Sequence, residues 1–139
     1  MQFKRITPNS FVLRIKQGEE VVQGLLFFAK KMQLKSAWLS GLGGFEEATL
    51  GFYDLKKKAY HKKVFKKVEL TSLVGNLCRA GKDFVLHAHA TISDSQFNVY
   101  GGHLFIGKVS ATCEVLITEI KRIERVMDKK VGLKVMRLK

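Results

Sequence analysis

From Phe11 to Lys16 the apolar residues Phe11, Leu13 and Ile15 alternate with Arg14 and Lys16, and Val12 is the one apolar side chain out of phase. Alternation of period two predicts a half-buried strand, which Gln17 and Gly18 end. The pattern then changes. Between Glu19 and Met32 the residues Val21, Val22, Leu25, Leu26, Phe28, Ala29 and Met32 recur near the helical period. Two glutamates open this segment and Lys30 and Lys31 close it, which suits the helix dipole. Gly24 lies inside the predicted helix at a cost of about 1 kcal/mol relative to alanine, and close packing against a sheet is the expected reason for it.

Beyond the helix the pattern shortens into strand-like runs: Ser36–Ser40, Ala48–Asp54, Tyr60–Phe65, Val68–Cys78, Phe84–Ile92, Asn98–Phe105, Lys108–Ile120 and Leu133–Leu138. Leu55-Lys56-Lys57-Lys58, Ala80-Gly81-Lys82-Asp83 and Asp94-Ser95-Gln96 have hairpin-loop composition. The glycine-rich stretch Ser40-Gly41-Leu42-Gly43-Gly44 lacks nucleotide-loop spacing and is read as a tight turn or bulge between strands. The predicted class is α+β, a mostly antiparallel sheet curling around or packing on one main helix.

With 139 residues the chain has the length of one domain, 1–139. The longest uninterrupted aliphatic or aromatic run, Leu25–Ala29, is far short of the roughly 20 residues that span a bilayer. Thr7, Pro8, Asn9 and Ser10 stand where a signal peptide would need an apolar stretch, so a cytoplasmic location is expected. Cys78 and Cys113 lie far apart in apolar runs and are expected to be buried thiols rather than a zinc ribbon or a disulfide.

Charge changes the picture. The 25 basic and 12 acidic residues leave a formal +13, which attracts polyanions. Seven lysines (Lys56, Lys57, Lys58, Lys62, Lys63, Lys66 and Lys67) fall in one hairpin, and Lys121, Arg122, Arg125, Lys129, Lys130, Lys134, Arg137 and Lys139 follow residue 120. Two readings compete for these segments: a solvated hairpin tip and tail that discourage edge pairing, or a contact with nucleic-acid phosphates.

The candidate chemistry is in the histidines. In Leu86-His87-Ala88-His89-Ala90 strand alternation puts both imidazoles on one face, with Leu86, Ala88, Ala90 and Ile92 on the core side. A return after the loop near residue 95 would bring His103, in Gly101-Gly102-His103, back beside them. Three histidines with an open position suit an exchangeable or catalytic zinc or iron site. His61, within the lysine run, is read as a surface residue. Of the adjacent Glu46 and Glu47, which could approach a ligand as acid or base, at most one can face any given site.

Ordered along the chain, Ser40-Gly41-Leu42-Gly43-Gly44, Leu50-Gly51-Phe52-Tyr53-Asp54, Val68 to Asn76, Leu86-His87-Ala88-His89-Ala90, Gly101-Gly102-His103-Leu104 and Glu114-Val115 resemble the plant and prokaryote conserved (PPC) domain family over about residues 5–120. The resemblance implies a strongly curved antiparallel sheet packed on one long helix, and a homotrimer. It is to the stand-alone prokaryotic branch, in which the histidines matching His87, His89 and His103 look like ligands of a divalent metal, with zinc the expected ion. The fold it implies is distantly similar to acetolactate decarboxylase. The R-G-R-P core of an AT-hook, the minor-groove element of plant members, is absent, so DNA binding is expected from charge alone. Two function classes follow. One is a trimeric metal-binding interaction module with non-specific phosphate contacts. The other is a small-molecule metalloenzyme of decarboxylase or lyase type. A pocket with a placed carboxylate or arginine beside the histidines would favour the second, and a flat basic face the first.

Overall fold

The computed structural model describes residues 1–138. Its elements in chain order are β1 (Gln2–Thr7), β2 (Ser10–Lys16), α1 (Val21–Lys31), β3 (Ser36–Asp54), β4 (Ala59–Ala80), β5 (Asp83–Ser93), β6 (Val99–Ile120), β7 (Glu124–Asp128) and β8 (Leu133–Arg137). The strands form one sheet in the order β1-β2-β6-β3-β4-β7-β8, and β5 pairs with both β4 and β6. The ring β6-β3-β4-β5 is thereby closed. The α+β class and the curved, mostly antiparallel sheet agree with expectation. The one parallel pairing among the described strands is between β4 and β7, at Arg79 and Glu124.

In β2 the alternation becomes burial: Phe11, Leu13 and Ile15 are inside, while Val12, Arg14 and Lys16 face out. Helix α1 adds Val21, Leu25, Phe28 and Ala29 to the same core. Phe28 meets Phe3 and Phe11 edge to face, with ring centroids 5.1 and 5.3 Å apart. Glu20 precedes the first helical turn as its N-cap, accepting from the Val22 and Gln23 amides at 3.0 and 2.7 Å. The same carboxylate accepts from the Gly107 amide at 2.9 Å, tying the helix start to β6.

Three pairs of predicted runs are each one strand. Ser36–Ser40 and Ala48–Asp54 merge into β3, Tyr60–Phe65 and Val68–Cys78 into β4, and Asn98–Phe105 and Lys108–Ile120 into β6. The glycine-rich stretch is a bulge within β3, with register shifts between Gly41 and Gly43 and between Gly43 and Phe45. A Cβ at Gly43 would collide with the Thr112 carbonyl oxygen, so glycine lets β3 and β6 approach there. The expectation for Gly24 is corrected: the nearest atom to a Cβ there would be Ile15 Cδ1 at 4.0 Å, an ordinary contact. Close packing does not require this glycine. Cys78 and Cys113 are buried and free, and burial pushes the Cys113 thiol up to about 12. No helix among the described residues is long and apolar enough to cross a membrane.

The basic C-terminal segment is not a solvated tail. Residues 124–137 form the β7-β8 hairpin, and Arg125 within it is only 9% exposed. Lys139 lies outside the described residues.

Candidate metal centre

In β5, Ala88, Ala90 and Ile92 are buried in the core, so strand alternation turns His87 and His89 to the opposite face. His103 stands opposite His89 in the β5-β6 register, as the hairpin return predicts. The ring centroids are 5.3 Å apart for His87–His89, 5.5 Å for His87–His103 and 5.7 Å for His89–His103. One nitrogen from each lies within 4.8 Å of the other two. All three predicted ligands therefore come together. His61 is exposed and outside this group, as expected.

The electrostatics favour the neutral form of His87 and His103. Burial, then the neighbouring His87 and His89, then Lys62 and Arg125, lower the His103 pKa from 6.5 to about 4. Burial, Arg125 and His89 lower that of His87. Neutral imidazoles offer the lone pairs that a metal takes. His103 Nδ1 is buried and has no hydrogen-bond partner. A donor set of three imidazoles, one of them with an orphaned nitrogen, fits a zinc-class divalent cation with an open position better than an oxygen-seeking calcium or magnesium ion.

Beside the histidines is a cavity of about 270 Å³. Tyr60, Val85, His87 and His103 form one side, and the β7-β8 hairpin closes it with Leu133, Val135 and Arg125. Tyr60 packs its ring 5.1 Å from that of His103 and 4.8 Å from that of Phe105. Gly51 leaves room for this cluster, since a Cβ there would stand 2.5 Å from Phe105 Cε2 and 3.0 Å from Tyr60 Cδ1. Tyr53 Oη donates to the Val131 carbonyl at 2.8 Å, and Lys58 Nζ to that of Lys129 at 2.7 Å. These bonds fasten the tip of the closing hairpin to the β3-β4 hairpin. A larger cavity of about 420 Å³ lies by α1, among Met1, Phe3, Ile15, Phe27 and Lys31. Its acidic groups are already engaged: Glu19 pairs with the terminal amine and Glu20 caps the helix. It contains no histidine.

Arg125 is the site residue that sequence reasoning missed. Its Nη1 donates to the Lys134 carbonyl at 2.7 Å and its Nη2 to Asn76 Oδ1 at 2.8 Å, with His87 Nδ1 3.2 Å from the same Nη2. A signal existed: Glu124-Arg125-Val126-Met127-Asp128 and Leu133-Lys134-Val135-Met136-Arg137 flank a turn ending in Gly132, which is a hairpin pattern. Neither Glu46 nor Glu47 lines the cavity, and Glu47 pairs in register with Lys66 and Lys108.

The lysine-rich hairpin does not present one charged face. Lys62 shares its cross-strand row with Gly51 and His103, and its ammonium lies 3.9 Å over the Phe105 ring. Its neighbour Lys63 points the other way, toward Phe65 and Tyr100. Lys66 has Glu47 opposite, and Lys56 and Lys57 take their turn from Asp54, whose carboxylate accepts both amides.

Residues 4–121 match the model of the Plants and Prokaryotes Conserved domain. A solved structure from Bacteroides thetaiotaomicron, described as a candidate DNA-binding protein, is 29% identical with a TM-score of 0.94, over 98% of this chain and 96% of that one. One from Archaeoglobus fulgidus, described as a metal-containing protein, is 30% identical with a TM-score of 0.86, over 99% of each chain. Acetolactate decarboxylase of Bacillus subtilis shares the fold alone, at 15% identity and a TM-score of 0.54 over 89% of this chain and 58% of the enzyme. The bifunctional protein GlmU of Synechococcus sp. (strain JA-2-3B'a(2-13)) is 28% identical over 111 residues, which are 78% of this chain and only 16% of GlmU.

Proposed function

The chain belongs to the Plants and Prokaryotes Conserved domain family, and on that basis we propose that it is a homotrimeric metal-binding module in which His87, His89 and His103 hold a divalent cation, zinc by ligand chemistry. The observation that carries this reading is the convergence of three imidazole nitrogens within 4.8 Å. The Archaeoglobus fulgidus relative, described as containing metal, supports it. Bound there, the cation would supply Lewis acidity to a group entering the adjacent cavity. Metal analysis of freshly purified protein, with none added, tests the proposal. About one zinc per chain is the expected result, and metal-free protein that also fails to take up added zinc would overturn it.

Non-specific contact with nucleic-acid phosphates through Lys56, Lys57, Lys58, Lys62, Lys63, Lys66 and Lys67 is part of the same proposal, supported by the +13 charge and by the candidate DNA-binding relative. Spread over both faces of the hairpin, these lysines suit backbone contacts rather than base reading. A second reading, a small-molecule metalloenzyme of decarboxylase or lyase type, is favoured by one observation: the arginine at the cavity beside the histidines. Turnover of a small carbonyl substrate that requires both the metal and Arg125 would establish it, and tight salt-sensitive DNA binding without turnover would favour the module.

A further inference from the structure

Arg125 is a cation nine-tenths buried, and no ion pair among the described residues includes it. Its protein partners are a carbonyl, an amide oxygen and an imidazole nitrogen, all uncharged, and its Nε has no partner at all. A buried guanidinium without a carboxylate is costly, because neutral acceptors replace only part of its hydration. The other orphaned polar atom at this place is His103 Nδ1, on a ring that lines the same cavity. Arg125 and His103 thus both line one space of about 270 Å³, whose other lining is mostly apolar, with Tyr60, Val85, Leu86, Leu133 and Val135, apart from His87 and the exposed Lys134.

We propose that this cavity binds a small organic carboxylate with an apolar substituent, with Arg125 as its charge partner, and that metal on the histidines frees the guanidinium to receive it. The class follows from the walls. A fork of N–H donors matches a carboxylate, and a mostly apolar cavity whose one buried cation is Arg125, its other lining cation Lys134 being exposed to solvent, suits one negative charge on a short hydrocarbon better than the higher charge of phosphate.

The link to the metal follows from hydrogen-bond bookkeeping at His87. A guanidinium only donates, so the contact at 3.2 Å requires the lone pair of His87 Nδ1, and the proton of the neutral ring then sits on Nε2. A metal on Nδ1 would take that lone pair from Arg125. A metal on Nε2 would move the proton to Nδ1, which could then accept nothing. Either way Arg125 Nη2 loses one partner as the metal enters and has a donor free for the anion. Metal and carboxylate then favour each other's binding, and by linkage the effect is reciprocal. This last step rests on the metal reading proposed above; the carboxylate site does not.

The experiment is calorimetric titration of isobutyrate into zinc-loaded and zinc-free protein, with isobutyramide as the uncharged twin, inorganic phosphate as the competing anion, and zinc uptake followed on the same samples by chelator competition. Expected are binding of isobutyrate, weakening by about tenfold or more in Arg125→Gln, no change in the surface variant Arg14→Gln, and tighter binding with zinc than without. If Arg125→Gln does not unfold cooperatively, Arg125→Lys decides, since it keeps the charge, loses the fork and should bind several-fold more weakly. Equal affinity of wild type and the Arg125 variants, equal affinity for isobutyramide, or a preference for phosphate would overturn the carboxylate assignment. Equal affinity with and without zinc would overturn the release step. Full zinc uptake without isobutyrate binding would leave the metal reading standing and this one refuted. No zinc uptake would refute the metal reading and the release step, and the Arg125 variants on zinc-free protein would then decide the carboxylate site.

Discussion

A histidine that is to hold a metal must stay neutral, and in His103 burial does most of that work. Its pKa, lowered from 6.5 to about 4, makes the metal-free protein sensitive to acid in a defined window. Protonation favours the unfolded chain, so the contribution of His103 is present above about pH 6.5 and is lost as pH falls toward 4. His87 is shifted in the same direction. Carboxylates lowered by hydrogen bonds, such as Glu19, Asp94 and Glu124, add their own losses chiefly below pH 4.5. Urea midpoints of metal-free protein should fall between pH 6.5 and 4, and His103→Gln should flatten that part of the profile. His89→Ala tests the other side of residue-scale design. It should remove most zinc affinity while changing the unfolding free energy of metal-free protein by no more than about 0.5 kcal/mol, because the exposed ring adds nothing to the core that Ala88 and Ala90 fill.

At the scale of elements, glycine marks two opposite situations. Gly24 in α1 has room for a Cβ, which would meet only Ile15 Cδ1 at ordinary contact distance, so Gly24→Ala should stabilise the protein by about 0.5 to 1 kcal/mol, read as a higher urea midpoint. Gly75 pairs with Ala88, and a Cβ there would stand 2.6 Å from the His87 carbonyl oxygen and 2.8 Å from Ala88 Cα. Gly75→Ala should therefore force β4 and β5 apart, cost roughly 1 to 3 kcal/mol, and weaken zinc binding as His87 shifts. The helix and β2 were legible because their burial follows a local period. The long strands were not, since glycines and lysines that read as turns are bulges or bends through which pairing continues: Gly41 to Phe45 in β3, and Lys67, at a φ of 53°, in β4.

At the scale of the whole molecule, the outer face of the sheet carries Val12, Leu116, Ser40, Val74 and His89, linked by consecutive cross-strand pairings. Val12, Leu116 and Val74 in this row, and the nearby Trp38 and Leu42, are all exposed. An exposed apolar band beside the histidines supports the proposed homotrimer, in which it would be covered. Light scattering should give about 47 kDa, three times the 15.8 kDa of one chain, and Val74→Lys should lower it toward about 16 kDa. The wild type scattering as a single chain at micromolar concentration would refute the trimer. For phosphate contacts, exchanging Lys57, Lys62 and Lys66 for glutamine should flatten log affinity for duplex DNA against log salt by roughly 2 to 3 units if all three engage, and an unchanged slope would show that they only solvate the hairpin.

Residues that repeat with a strand or helix period declare their own faces, because the side-chain direction is set by the backbone within a few residues. For that reason the core side of β5, the shared face of His87 and His89, the helix and the α+β class could all be read from the chain alone. The family could be read as well, since its motifs are short and ordered. What the chain alone did not determine was the fate of Arg125, one of the eight basic residues after position 120. Nothing local separates it from Arg122, which is largely exposed and pairs with Glu124 two residues away. Arg125 is buried because β7 docks beside β4, where Asn76, 49 residues earlier, and His87, 38 residues earlier, meet its guanidinium. Its burial comes from contacts distant in sequence, which exist only once the sheet has closed.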